Sequence, residues 1–251
     1  MGGVDPSGGI EAAKRAAACQ AVDDFVADAA PGTIAAIGIG SGSTIVYAVE
    51  RLAQLARSSR PDLRSCLYVP TSHQSRELIR QTGCLSLGDL TSCPCLDVAF
   101  DGADECDSSL NCIKGGGAAH LQEKIVASCA DRFVVIADYR KDSPILGREW
   151  RSGVPLEVAS TAYVPVMHRL DSIGSIRTVL RMGVRKAGPV VTDNGNFVVD
   201  ADFGEIDDPA ALDRRLHDIP GILETGLFVG LVDKAYFGQD DGTVSVRSRT
   251  L

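Results

Sequence analysis

The sequence contains no apolar stretch near the ~18 residues that a membrane-spanning helix needs, and no basic start leading into a short apolar run of the secretory kind. These two absences predict a protein of the cytoplasm with no membrane partner. Positive charge is also short: 25 Lys+Arg stand against 33 Asp+Glu, a net charge of -8. The overall field therefore repels polyanions, which argues against nucleic acid as a partner. Any anionic ligand must be held locally, against that field. Histidine is scarce, with four in the chain, and none lies close in sequence to the acidic run 101–107 to complete a transition-metal site. That run does not match a calcium loop either, so no metal and no cofactor are expected.

What is present is ordinary for a globular protein: 251 residues, 45% hydrophobic and 23% charged. Such a chain can bury a large core without disulfides or metals. Its eight cysteines fall partly inside apolar runs, and in a reducing compartment they are expected to remain thiols.

Along the chain the hydrophobic pattern alternates. Residues 9–30 read as an Ala-rich helix that stops at Pro31–Gly32. Residues 33–40 form a short and almost wholly apolar run, the pattern of a strand covered on both faces. Helix 45–56 follows, then strand 65–70, helix 72–81, strand 96–100, helix 118–130 and strand 132–137. Strands alternating with helices predict a parallel, doubly wound sheet whose ligand sites lie beyond the carboxyl ends of the strands. After Pro144 the rhythm becomes strand 154–158, helix 163–170, strand 175–181 and strand 190–193, with Asn194–Gly195 as a hairpin turn before 197–199. This block predicts a smaller α+β domain with an antiparallel sheet over 145–220. Residues 1–144 and 221–251 would then make the main domain, with 226–229 and 234–238 as returning strands.

Three segments carry chemistry. Gly38-Ile39-Gly40-Ser41-Gly42-Ser43-Thr44 joins a buried strand to a helix start, where glycine backbone, helix dipole and hydroxyls together suit a phosphate. The spacing fits neither a dinucleotide fingerprint nor a Walker loop; a tight, capped turn is the plainer alternative. Asp101-Gly102-Ala103-Asp104 places two carboxylates at the end of a parallel strand, an arrangement suited to acid–base work. The alternative, a capped turn in a solvated acidic run, fits Glu105 and Asp107 better. In Lys114-Gly115-Gly116-Gly117 a cation precedes backbone N–H groups at a helix start, which can stabilise an oxyanion or a phosphate. Glu123 lies inside that helix, near enough its start to face the cleft, and burial there would make it a stronger base.

Together these segments resemble the signatures of the A-type ribose-5-phosphate isomerases. Val154-Pro155-Leu156-Glu157-Val158, residues 188–196, Ile219-Pro220-Gly221 and Gly226-Leu227-Phe228 extend the resemblance, and residues 71–76 look most like eukaryotic members. The resemblance implies a Rossmann-like doubly wound sheet with a smaller ferredoxin-like domain, and the interconversion of D-ribose 5-phosphate and D-ribulose 5-phosphate in the non-oxidative pentose phosphate pathway. It further implies that Glu123 shuttles a proton through an enediolate, that Asp101 serves ring opening, and that Asp104 and Lys114 manage protons and charge on O1 and O2. Lys14, Ser41, Gly42, Ser43, Thr44 and Lys141 would meet the sugar phosphate, with Gly102, Ala103, Gly115, Gly116 and Gly117 lining it. A homodimer or homotetramer is the implied assembly, with 154–220 as the contact surface. His120 is expected at the surface or an edge, and Cys106 and Cys112 beside the cleft. A sugar-phosphate deaminase or lactonase commonly uses a histidine or other acids. A sugar-phosphate sensor would carry a DNA-binding domain, for which the residues before Gly9 leave no room.

Overall fold

The structure is a computed structural model that describes residues 6–249. The chain divides into two compact units. The first comprises Met1–Gly102, Ile125–Lys141 and Leu231–Leu251; the second comprises Ala103–Lys124 and Asp142–Gly230. Among the described residues no helix is long and apolar enough to cross a membrane.

The first unit is built on a seven-stranded sheet. Its strands lie in the order Val244–Ser248, Lys234–Gly238, Phe133–Asp138, Val98–Asp101, Ala36–Ile39, Leu67–Pro70 and Ser86–Leu87. Neighbours run parallel, except for the first two, which are antiparallel. Of the apolar run 33–40, Ala36–Ile39 forms a strand buried along its whole length, and side-chain alternation decides what covers each face. Ile37 and Ile39 pack with Ala17, Ile45, Leu52 and Ile79, which come from the helices Pro6–Val22, Ile45–Arg57 and His73–Thr82. Gly38 faces the other way, where a Cβ would sit 2.7 Å from Val126 on the helix His120–Ser128. Helices therefore cover both faces, as a doubly wound sheet requires.

From Ala36–Ile39 the chain first moves to the neighbour Leu67–Pro70 and later returns to Val98–Asp101 on the opposite side. This reversal creates a switch point, and ligands of such sheets bind in the crevice outside the strand ends there. Gly40 N–H donates to Phe100 O at 2.8 Å across that point. The first helix, expected over 9–30, ends at Val22 and widens into a π-helical turn, Asp23–Ala27, before Pro31–Gly32.

The second unit holds a four-stranded antiparallel sheet in the order Ile222–Thr225, Val154–Val158, Phe197–Asp202, Arg177–Leu180. With the helices Tyr163–Ser172 and Pro209–His217 this is strand–helix–strand twice over, the expected ferredoxin-like arrangement. Leu156, Val158, Val166, Leu170, Val199, Leu212 and Leu216 form its core.

The units divide differently from the expected 1–144, 145–220 and 221–251. Strands Glu105–Cys106 and Cys112–Ile113 pair with each other and with Leu227–Phe228, and not with the seven-stranded sheet. Ile222–Thr225 joins Val154–Val158. These pairings draw 103–124 and 221–230 into the second unit. Residues 190–193 do not form a strand. Pro189 brings no N–H to a ladder, and only isolated bridges form, Met182 with Pro189 and Val191 with Phe197. Asn194–Gly195 still turns the chain, with Gly195 at φ 84° and Thr192 N–H donating to Asn196 O at 2.9 Å.

Candidate active site

At the carboxyl edge of the seven-stranded sheet, Asp101 is the last residue of its strand and is buried. Its Oδ1 accepts from Ser41 N–H at 3.1 Å and from Gly102 N–H at 2.7 Å. Gly40 has to be glycine, because a Cβ there would lie 2.1 Å from the Asp101 carboxyl. The following loop is held from below by hydroxyls: Ser41 Oγ lies 2.6 Å from Ser72 Oγ and 2.9 Å from Thr71 Oγ1. Gly42, at φ 103°, turns the chain and its N–H donates to Gln74 Oε1 at 2.9 Å. Thr44 then starts the helix Ile45–Arg57 without a side-chain cap. Lys14 Nζ donates to Ser43 Oγ at 2.9 Å and pairs with Glu11 at 2.7 Å, so a residue far away in sequence joins the loop. Lys141 closes the 3-10 turn Tyr139–Lys141 that follows the strand Phe133–Asp138. In that strand's last residue burial raises the Asp138 carboxyl, and the Arg140 guanidinium more than offsets it, leaving the group below its usual value.

In the second unit, Lys114 and Glu123 meet as an ion pair at 3.1 Å, with their side chains only 3% and 5% exposed. Lys114 Nζ also stands 5.3 Å from the Phe228 ring centroid, and its backbone N–H donates to Gly226 O at 2.8 Å. The glycines after it are individually constrained. Gly115 has φ 103°, and a Cβ there would reach within 2.7 Å of His120 Nδ1. Gly116 N–H donates to Asp104 Oδ2 at 2.7 Å, and a Cβ on Gly116 would meet the same carboxylate at 2.7 Å. Gly117 faces open space. Ala103 begins the unit beside Asp104.

Some expectations fail here. Glu105 and Asp107 are buried, not solvated. Glu105 accepts from the N–H groups of Gly147, Arg148 and Glu149 at 2.6, 3.1 and 2.8 Å, which ties down a loop distant in sequence. Asp107 does form a capped turn, accepting from Ser109 and Asn111 N–H at 2.9 and 2.8 Å. His120 is buried rather than at the surface; burial, then the charges of Lys124 and Arg181, push its imidazole down to about 3. Cys106 and Cys112 are buried and neither is in a disulfide. Sequence reasoning gave Ser72, Gln74 and Phe228 no role in the site, although each lies in a segment that carries the resemblance. The capping pattern Ser72–Ser75 was a legible signal for the first, whereas nothing local marks Phe228. Among the described residues no group of three or more His, Cys, Asp and Glu is placed to hold a metal ion.

A doubly wound sheet with a hydroxyl-lined loop at its switch point, accompanied by a unit that buries a Lys–Glu pair beside a glycine turn, defines an acid–base enzyme for small anions. Comparison with known proteins makes this specific. Residues 67–242 match the family described as ribose 5-phosphate isomerase A (phosphoriboisomerase A). The ribose-5-phosphate isomerase of Mycosarcoma maydis is 53% identical over 242 residues, covering 96% of this chain and 82% of the relative. A solved ribose 5-phosphate isomerase A from Methanocaldococcus jannaschii superposes with a TM-score of 0.84 at 37% identity, over 95% of this chain and 99% of that one. A D-ribose-5-phosphate isomerase solved in complex with phospho-erythronic acid gives 0.86 at 36%, over 96% and 99%. The chain belongs to the ribose 5-phosphate isomerase A family, and it is an aldose–ketose isomerase that interconverts ribose 5-phosphate and ribulose 5-phosphate.

Proposed function

We propose that Glu123 is the base of this isomerisation. Its carboxylate takes the proton from C2 of the open-chain aldose, and the C2 electrons form the C1=C2 bond of an enediolate as O1 gains charge. The same carboxylate returns the proton to C1, while the hydroxyl proton passes from O2 to O1. The observation that carries this reading is the buried contact between Lys114 and Glu123 at 3.1 Å. A base needs to be ionised, and an adjacent ammonium favours that state. The same ammonium can meet the developing oxyanion. Asp104 and Lys114 then manage protons and charge on O1 and O2, and Asp101 serves ring opening. Ser41, Gly42, Ser43, Thr44, Lys14 and Lys141 hold the phosphate, with Gly102, Ala103, Gly115, Gly116 and Gly117 lining the sugar. Phospho-erythronic acid, named with one of the similar structures, is a phosphorylated carboxylate whose flat, charged end resembles an enediolate. This supports the same reading here.

The assembly we infer is a homodimer or homotetramer in the cytoplasm, joined through the second unit. Ile176, Val179, Met182, Val184 and Val191 expose apolar surface there, beside the edge strand Arg177–Leu180. Light scattering behind size exclusion tests the assembly, and a monomer at micromolar concentration refutes it. For the chemistry, the test is hydrogen exchange at C1 and C2 in deuterated water. The wild-type protein should wash deuterium into both positions, and Glu123→Gln should abolish that exchange while still binding substrate.

A further inference from the structure

We propose that Arg181, anchored by Asp200, is a positioning residue of the isomerase reaction: it pins the Gly115–Gly116 turn and so sets the N–H that Gly116 presents to Asp104. The proposal rests on the reading of Asp104 and Glu123 given above.

The glycine run needs an external hold. Three consecutive glycines have more backbone freedom to lose than any other tripeptide. The turn they adopt is also unusual, with Gly115 at φ 103° and Ala118, a residue with a Cβ, at φ 60°. The turn's own closing bond runs from Ala118 N–H to Gly115 O at 2.9 Å; it holds the Gly115–Gly116 peptide at its oxygen alone, and fixing the plane takes a second hold from outside the turn.

Arg181 supplies that hold. Its Nη1 donates to Gly115 O at 2.9 Å and to Gly116 O at 3.1 Å. From the opposite edge of the same guanidinium, Nε donates to Asp200 Oδ2 at 2.8 Å and Nη2 donates to Asp200 Oδ1. Both partners sit on rigid backbone. Arg181 directly follows the strand Arg177–Leu180, and its N–H donates to Val198 O at 2.9 Å. Asp200 lies in Phe197–Asp202, opposite Val179 in the ladder. The four-stranded sheet thus reaches through one planar fork to two carbonyls of a glycine turn. On that turn Gly116 N–H meets Asp104 at 2.7 Å, and Gly115 packs against His120, the first residue of the helix that carries Glu123. A peptide plane turned away at Gly115–Gly116 would take the N–H off Asp104 and loosen the start of that helix. Lysine cannot replace the fork, because a single ammonium does not span a carboxylate and two carbonyls in a fixed plane.

The experiment compares Arg181→Ala and Arg181→Lys with the wild-type enzyme for kcat, KM for ribose 5-phosphate, Tm, and recovery by added methylguanidinium or ethylammonium. In both variants kcat should fall ~10- to 100-fold, the scale of a misplaced catalytic geometry, with KM within ~3-fold of wild type. Methylguanidinium should restore kcat of Arg181→Ala in a saturable way, and ethylammonium should not. A kcat within about twofold of wild type in both variants overturns the proposal. So does a loss that tracks Tm and KM together without methylguanidinium recovery, since that is the mark of a merely structural contact. Should Arg181→Ala not fold, Arg181→Lys carries the same kcat-against-KM test. Glu123→Gln in the Arg181 background is read separately: an active Glu123→Gln retires the base assignment, whereas the Arg181 variants bear on positioning alone.

Discussion

The loop after Ala36–Ile39 and the turn after Lys114 are both glycine-rich stretches beside carboxylates, yet they handle charge differently. In the first, the donors are neutral N–H and hydroxyl groups, and the nearby cation Lys14 shares its charge with Glu11, whose side chain is 47% exposed. The buried Asp101 is met by backbone N–H groups. In the second, an ammonium and a carboxylate face each other almost out of solvent. Exposed neutral donors can take over an arriving anion's hydration with little reorganisation. Buried charges act in a low dielectric, where they move protons and stabilise transient anions far more strongly than in water. This contrast agrees with the proposed roles, in which one region holds the phosphate and the other changes the sugar.

Removing one partner from each ion pair tests this contrast most directly. Lys114→Met should leave a buried carboxylate without its ammonium and cost about 3–5 kcal/mol in urea unfolding, whereas Lys14→Met should cost at most ~1 kcal/mol, as exposed pairs do. Equal costs would erase the distinction. The next largest effect is on rate: Glu123→Gln should lower kcat at least ~100-fold with little change in directly measured affinity. A near wild-type rate would move the base elsewhere, with Asp104 next in line.

A third test sets the buried His120 of the wild-type chain against a variant that lacks the imidazole. An imidazole held down at about 3 binds a proton less well in the folded chain than in the unfolded one. Its contribution is therefore fully present above the unfolded value near 6.5 and is lost as pH falls from there toward 3. Unfolding free energies at pH 6.5 and pH 5 should show His120→Asn losing roughly 2 kcal/mol less than wild type over that interval. Identical slopes for the two proteins would mean that His120 takes up its proton without unfolding. The smallest effect is expected at the loop. Lys14→Ala should raise KM for ribose 5-phosphate ~10-fold, about the value of a charge-assisted contact, and leave kcat nearly unchanged. A drop in kcat with KM constant would place Lys14 among the groups acting on the carbons.

Much of this was legible in one dimension. The apolar run 33–40 and the alternation after it specify a parallel, doubly covered sheet, because only a strand buried on both faces can dispense with polar residues. Gly40, Asp101, Lys114 and Glu123 stand out as residue types at strand ends and helix starts, where backbone N–H groups and carboxylates can act together. Pairing was not legible. Glu105 looked like part of a solvated acidic run, because the N–H groups of residues 147–149 that it serves leave no trace in local sequence. Residues 105–113 and 227–228 read as part of the main domain, and only their shared ladder assigns them to the second unit. His120, expected at the surface or an edge, is buried, because what packs over a helix face is not written in that helix; a Cβ on Gly115 would lie 2.7 Å from its Nδ1. Local propensity, periodicity and spacing thus determined most of the elements and marked the candidate residues. Tertiary structure alone decided which strands pair, which charges are buried, and that Arg181, far along the chain, reaches the glycine turn, because those outcomes depend on contacts between residues whose separation in sequence carries no signal.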